Sequence, residues 1–349
     1  MRINNQNKLY INNSKATKQP KTPAFKGLLY IDPKTKMPLD SWFYRDYDTL
    51  EAANYEIEKT FPNGAEIWDF ACANAEETIS EKTLLENPKY KLIGYDSSTS
   101  AIKLAKKGIY TVFSNWYDSF LLPDSTQDSK ELYLKDKFYN IMEEIEPPET
   151  ERHINNKADY FNIKKFYHSF QEKYFQVKPQ RRKEIDIRTG NINRIENYRN
   201  NDKIGAVFFR NALYQMTGND INETIEQRKY FSSGATPDKK RIIEELVNKI
   251  HSKLAAGGVF VIGDHIKDHL FLADKNLPNS EIVLFKDTPY FEPENRKHLF
   301  ASQVKLFKES PLKTALEKAG RFVPVGFSQT SLTYGGIKIK VPTVWKKVK

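Results

Sequence analysis

The run Glu66-Ile67-Trp68-Asp69-Phe70-Ala71, continued by Cys72-Ala73-Asn74-Ala75 and then by Glu76-Glu77-Thr78-Ile79-Ser80, decides the fold. The first part reads as a buried strand, the four small residues as a loop, and the acid-led segment as the opening of a helix. Next, Lys91-Leu92-Ile93-Gly94-Tyr95-Asp96 reads as a second strand that ends in a carboxylate. Residues 97–107 then supply a helix with Ile102 and Ala105 inward, closed by Gly108 as a C′ glycine.

Working outward, the same alternation recurs. Residues 40–60 read as a helix with an uneven apolar face of Leu50, Ala53, Tyr55 and Ile57. Residues 185–192 resemble a short strand, and Ile204-Gly205-Ala206-Val207-Phe208-Phe209 has the near-continuous apolar character of a buried parallel strand. Ile243, Leu246, Val247, Ile250 and Leu254 mark a helix over residues 240–254, expected to end at Gly257-Gly258 before the strand Val259-Phe260-Val261-Ile262. Residues 311–319 read as a helix, and residues 322–327 and 337–345 as strands able to pair in a terminal antiparallel hairpin. Repeated βα units of this kind predict an α/β fold: a Rossmann-like, mostly parallel, seven-stranded sheet with a C-terminal antiparallel hairpin. No internal repeat is visible.

The bulk properties fit one large α/β domain with extensions. Of 349 residues, 39% are hydrophobic and 13% aromatic; the mean hydropathy of -0.67 points to abundant polar surface. Residues 1–26 form a polar segment expected to be a mobile tail, with residues 27–349 making the domain. Polar insertions are expected near 123–160 and 219–238, carrying a helix or two but no core residues. No run approaches the roughly 20 apolar residues of a membrane helix, and no secretory core is present, so the expected location is the cytoplasm without membrane insertion. Cys72 is the one cysteine, which excludes an intrachain disulfide and a multi-cysteine metal site. His265 and His269 stand four apart beside Asp264 and Asp268, a spacing that specifies little, and no metal is expected. Lysine and arginine number 55 against 45 acidic residues, a basic balance compatible with a solvated surface or an anionic partner.

A strand, a small-residue loop and a helix start, followed by an acidic strand end, form a nucleotide-binding plan in which the carboxylate, here Asp96, accepts hydrogen bonds from ribose hydroxyls. The loop has none of the glycines of a pyrophosphate cradle, which counts against NAD or FAD. A ligand without phosphates needs only a small loop, and S-adenosylmethionine is such a ligand.

The chain resembles the chemotaxis-receptor glutamate methyltransferases (CheR type), whose pattern runs T-x-F-F-R-(D/E), then W-S-A-G-C-S-T-G-E-E-P-Y-S, then D-I. Here stand Ser41-Trp42-Phe43-Tyr44-Arg45-Asp46, Trp68 to Ser80, and Asp96-Ser97 in the same order. Leu104 to Tyr110, Gly190-Asn191-Ile192 and Phe208-Phe209-Arg210-Asn211-Ala212-Leu213 continue the likeness. The resemblance implies S-adenosylmethionine as cofactor and O-methylation of a protein carboxylate as reaction. By position it implies that Ser41 and Arg45 hold the methionine end, with Arg45 on its carboxylate. Ala71 and Ala73 would set the loop against the cofactor, Glu77 would share the pocket, Asp96 would bind ribose, and Asn191 with Ile192 would flank the adenine. Arg210 and Asn211 would line the pocket beside the transferable methyl, as the catalytic pair. A carboxylate acceptor is already ionised near neutral pH, so no general base is required.

Departures from the pattern keep other readings open. Asn74-Ala75 replaces a T-G, Gln215 stands where the family has tyrosine with Tyr214 one place early, and Asp264-His265-Ile266 replaces H-S-E. The first two favour an inactive methyltransferase-like interaction module. The basic balance, with residues 178–182, suggests a nucleic-acid methyltransferase, although no base-amine methylation motif follows the strand at Ile204.

Overall fold

A computed structural model of the chain describes residues 30–31, 38–39, 43–113, 129–146, 172–199, 203–213, 237–263, 311–331 and 338–348. The strands are β1 (Tyr30–Ile31), β2 (Pro38–Leu39), β3 (Glu66–Phe70), β4 (Lys91–Asp96), β5 (Ile109–Phe113) and β6 (Met142–Ile145). They continue with β7 (Glu172–Val177), β8 (Asp186–Thr189), β9 (Ile204–Phe208), β10 (Leu254–Val261), β11 (Phe322–Ser331) and β12 (Lys338–Lys347). The α-helices are α1 (Tyr47–Thr60), α2 (Glu76–Leu84), α3 (Thr99–Lys107), α4 (Ser129–Ile141), α5 (Pro237–Lys253) and α6 (Pro311–Glu317).

Seven strands make the main sheet in the order β11-β12-β10-β9-β3-β4-β8. Neighbours from β10 to β8 are parallel, whereas β12 lies antiparallel to both β10 and β11. The last strand is therefore wedged between the fifth and sixth as the return arm of the terminal hairpin. This is the expected Rossmann-like, mostly parallel seven-stranded architecture with its C-terminal hairpin, and the place for a ligand follows from where the strand order reverses. From β3 the chain passes through α2 to β4 on one side, while β9 lies on the other, so a crevice opens at the carboxyl ends of β3 and β9.

Every residue of β3 and β9 is buried, as parallel strands covered on both faces require. Alternation divides β3 between two cores. Trp68 and Phe70 pack with Tyr95, Val207 and the inward face of α5 at Ile243, Val247 and Ile250. Ile67 packs on the other side with Leu50, Ala53 and Ile57 of α1, and the same alternation sends Asp69 toward the α1 and α2 layer.

Several boundaries differ from expectation. The helix expected from residue 40 begins at Tyr47, because Tyr44 and Asp46 are left-handed and cannot continue a helix. The helix before the fifth strand ends at Lys253, and β10 already starts at Leu254; Gly257-Gly258 lies inside the strand and does not precede it. Gly257 has φ 76, and the register shifts between Leu254 and Val259, so the glycine pair forms a bulge. The strand expected to reach Ile192 stops at Thr189 and gives way to a 3₁₀ segment, Ile192–Asn197. As expected, Gly108 caps α3 in the left-handed conformation, φ 65.

The excursion after residue 123 contributes a core of its own, contrary to expectation. β5, β7 and β6 pair in that order as a small antiparallel sheet. Leu134, Phe138 and Ile141 of α4 pack there with Phe175, Tyr110, Phe43 and Tyr44. Residues 1–26, Ser41, Tyr214, Gln215, most of the second insertion, and residues 264–269 lie outside the described residues. Among the described residues, no helix is long and apolar enough to cross a membrane.

Candidate functional site

Because β3, β4, β8 and β9 are parallel, their carboxyl ends share one edge of the sheet. To that edge come the loop 71–75 from β3, Asp96 from β4, Asn191 after β8, and Arg210-Asn211 after β9. The turn 43–46 reaches the same edge from the start of α1. Its backbone is tied to α2, since Tyr44 N donates to Ser80 Oγ at 2.8 Å and the Tyr44 and Thr83 hydroxyls lie 2.8 Å apart.

Backbone strain is concentrated here. Among the described residues, left-handed non-glycines are Tyr44, Asp46, Ala71, Ala73, Ala75, Asn211 and Ala319, and all but the last lie at this edge. Each costs about 1 kcal/mol or more, and such outliers persist where surrounding contacts over-determine them. In the loop those contacts are visible. Cys72 N donates to Tyr95 O at 3.1 Å, Ala73 N to Asp96 Oδ2 at 2.9 Å, and Ala75 N to Cys72 O at 2.7 Å. Alanines at φ 59, 51 and 72 thus trace a path that glycine would follow without strain.

Asp96 also accepts from Ser98 N at 2.7 Å, so each carboxylate oxygen holds one backbone N–H. Both bonds fix the carboxylate at the carboxyl end of β4. Asn191 is exposed; its Oδ1 accepts from Asn193 N at 2.9 Å and its N–H donates to the Tyr198 hydroxyl at 2.7 Å. Ile192 is buried in the sheet core with Tyr95.

The charged heart of the site is a buried ion cluster. Arg210 Nη1 donates to Arg45 O at 2.8 Å, and Nη2 lies 2.9 Å from Glu77 Oε1. Arg45 Nε is 3.8 Å from the same Glu77 oxygen and 3.9 Å from Asp46 Oδ2. Asn211 Nδ2 donates to Asp46 Oδ2 at 2.9 Å. A Cβ on Gly263 would collide with the Asn211 amide, so any larger residue there must push that side chain aside. Burial works against the charge on Arg210, but Glu77, Asp46 and Asp69 outweigh it and raise its pKa.

Two acids of the cluster were missed by motif reasoning. Asp69 accepts from the Thr78 hydroxyl at 2.5 Å, and burial, with Glu77 next, pushes its carboxyl up to about 7. Glu81, 2% exposed, has neither carboxyl oxygen hydrogen-bonded, and burial pushes it up to about 8 against the pull of Arg210. The signals were present: an acid inside an apolar strand, and a glutamate one helical turn after Glu77. Cys72 is buried, and desolvation raises its thiol pKa, so it is a packing residue.

Arg45, Glu77, Asp96, Arg210 and Asn211, together with the loop at Ala71 and Ala73, are therefore gathered at one edge. The donor set suits an amino-acid nucleoside: guanidinium for a carboxylate, carboxylates for ammonium and sulfonium, and Asp96 for vicinal hydroxyls.

No protein-family model matches the chain, and no curated protein matches it. Solved structures with some likeness include CalS10 from Micromonospora echinaspora, an amino pentose methyltransferase bound to S-adenosylmethionine. It is 11% identical over 62% of this chain and 50% of its own, with a TM-score of 0.27. The glycopeptide N-methyltransferase MtfA, complexed with sinefungin, is 12% identical over 62% of this chain and 49% of its own, at 0.25. This chain thus spans about half the length of each. An S-adenosylmethionine-dependent methyltransferase from Methanosarcina mazei is 10% identical over 82% of this chain and 93% of its own, at 0.31. Likeness at this level carries no assignment by itself.

Proposed function

We propose that this chain is an S-adenosylmethionine-dependent methyltransferase whose acceptor is a protein carboxylate, as in the CheR type. The observation that carries the reading is the convergence of Arg45, Glu77 and Arg210 with the strained loop 71–75 and Asp96 at the crevice between β3 and β9.

In this reading Arg45 holds the methionine carboxylate, Glu77 sits beside the ammonium, and Asp96 accepts from the ribose hydroxyls. Ala71 and Ala73 bring the loop backbone against the nucleoside, and Asn191 and Ile192 lie at the adenine end. When bound, the cofactor supplies an electrophilic methyl on a sulfonium. The chain's part is positioning. Arg210, fixed by the Arg45 carbonyl and Glu77, and Asn211, fixed by Asp46, line the side from which an acceptor approaches. An acceptor carboxylate arrives ionised, so orientation and exclusion of water are what the site must provide.

Transfer of tritiated methyl groups from S-adenosylmethionine to host-cell proteins tests this reading. Base-labile label on protein with wild type, absent with Asp96→Ala, is the expected result. Label confined to nucleic acid identifies a different acceptor class, and equal labelling with both proteins refutes the assigned pocket.

A further inference from the structure

The buried ion cluster is unbalanced if every acid in it is ionised. Among the described residues, Asp46, Asp69, Glu77 and Glu81 stand against two guanidiniums, Arg45 and Arg210. Glu77 and Asp46 are the two that touch the arginines, and these four charges cancel. Asp69 and Glu81 are left over. Asp69 has a hydroxyl donor but no cation in contact, and Glu81, almost wholly buried, has no hydrogen bond to either oxygen. An ionised carboxylate in that setting is costly and takes up a proton instead.

We propose that Asp69 and Glu81 hold protons until a cation enters the crevice and then release one, so that the site distinguishes a sulfonium from the thioether left after methyl transfer. The inference rests on the cofactor reading above. S-adenosylmethionine brings a sulfonium, an ammonium and a carboxylate, a net charge of plus one. S-adenosylhomocysteine keeps the ammonium and the carboxylate and is neutral overall. A net positive charge placed in a region screened from water favours the carboxylate form of nearby acids. The proton leaves the Glu81 or Asp69 carboxyl for solvent, and the site regains balance with one acid ionised. Loss of the methyl removes the cation, and the acid takes its proton back.

The groups acting on Glu81 are Arg210 from the end of β9, Asp69 from β3 and Glu58 from α1, with Glu77 one turn earlier on its own helix. The β4 and α4 elements also pack on α2 and add no charge to that set. On Asp69 act Glu77, Arg210 and Asp96, with the Thr78 hydroxyl as donor. Two acids press on Glu81 in addition to burial, which keeps its titration close to neutrality, where a ligand charge can tip it.

The test is isothermal titration of both ligands into the full chain at pH 7, in two buffers of different ionisation enthalpy, and then across pH 6 to 9. With wild type, S-adenosylmethionine releases a fraction of a proton that S-adenosylhomocysteine does not. Its affinity climbs several-fold per pH unit, at most about tenfold, and levels above about pH 8. Glu81→Gln, a neutral isostere, loses most of that climb, and Asp69→Asn loses the remainder. Since the ligand's own amino group titrates alike against wild type and variant, their difference isolates the protein group. Equal proton release with the two ligands overturns the inference, as does an unchanged climb in both variants. Where one variant fails to fold, the other supplies the comparison. If neither ligand binds at any pH, the cofactor reading itself is refuted, and this inference with it.

Discussion

Ala71 shows how much of the site is written in single backbone positions. Its φ of 59 suits glycine, and its side chain is only partly buried, so Ala71→Gly relieves left-handed strain at little packing loss. The expected change in thermal denaturation is neutral to about 0.5 kcal/mol stabilising once the added freedom of the unfolded chain is counted. Ala71→Val, β-branched in the same conformation, is expected to lose about 2 kcal/mol. Gly263 makes the complementary case. A methyl there must displace Asn211 from Asp46, so Gly263→Ala is expected to lower methyl transfer by roughly tenfold or more while S-adenosylhomocysteine affinity holds within about threefold. Equal loss of rate and affinity would place Asn211 in cofactor binding instead. Asp96 was legible at this scale because a strand-end acid has a ready ligand role in such a plan, and Arg45 and Arg210 were legible only through the resemblance to the CheR pattern. Asp69 and Glu81 stood out locally only as an acid inside an apolar strand and a glutamate one turn after Glu77; their burial between α2 and β3 comes from tertiary packing.

Among the elements, α4 and the small sheet β5-β7-β6 brace the turn that carries Arg45. Phe138 meets Phe43 and Phe175 edge-on at 4.9 Å each, and Phe43 lies two residues before Arg45. Phe138→Ala is therefore expected to cost about 3–5 kcal/mol locally, to speed hydrogen exchange in β5 and β7, and to weaken S-adenosylmethionine binding through the loosened turn. Unchanged exchange there would contradict the bracing role. Strand β9 was readable because it is a near-continuous apolar run, the form that burial on both faces imposes, and β3 and β4 because their apolar residues end in a small-residue loop and in a strand-end acid. The α4 stripe of Leu134, Phe138 and Ile141 was hidden among lysines and acids, and its sheet partner β7 lies far along the chain. In β10 the glycine pair was read as a helix stop because a bulge and a cap ask the same freedom of glycine.

For the whole molecule, the buried acids predict a pH dependence of stability. In an unfolded chain Asp69 and Glu81 titrate near 3.8 and 4.5, and in the fold near 7 and 8. The folded state binds more protons between those limits, so stability falls as pH rises from about 5 to 8, by at most about 1.4 kcal/mol per unit for each group. Thermal denaturation across that window checks this, and Glu81→Gln is expected to make the decline shallower. A wild-type profile that rises over the same window would show both acids ionised in the fold.

The central claim is that the crevice between β3 and β9 binds S-adenosylmethionine with Asp96 on its ribose. Calorimetric titration of the cofactor into wild type and Asp96→Ala tests it most directly. The account predicts one site per chain in wild type and an affinity weaker by roughly 10- to 100-fold in the variant, the worth of about 1.4–3 kcal/mol of charged hydrogen bonds. Undiminished affinity in Asp96→Ala, or no binding in wild type, would contradict it.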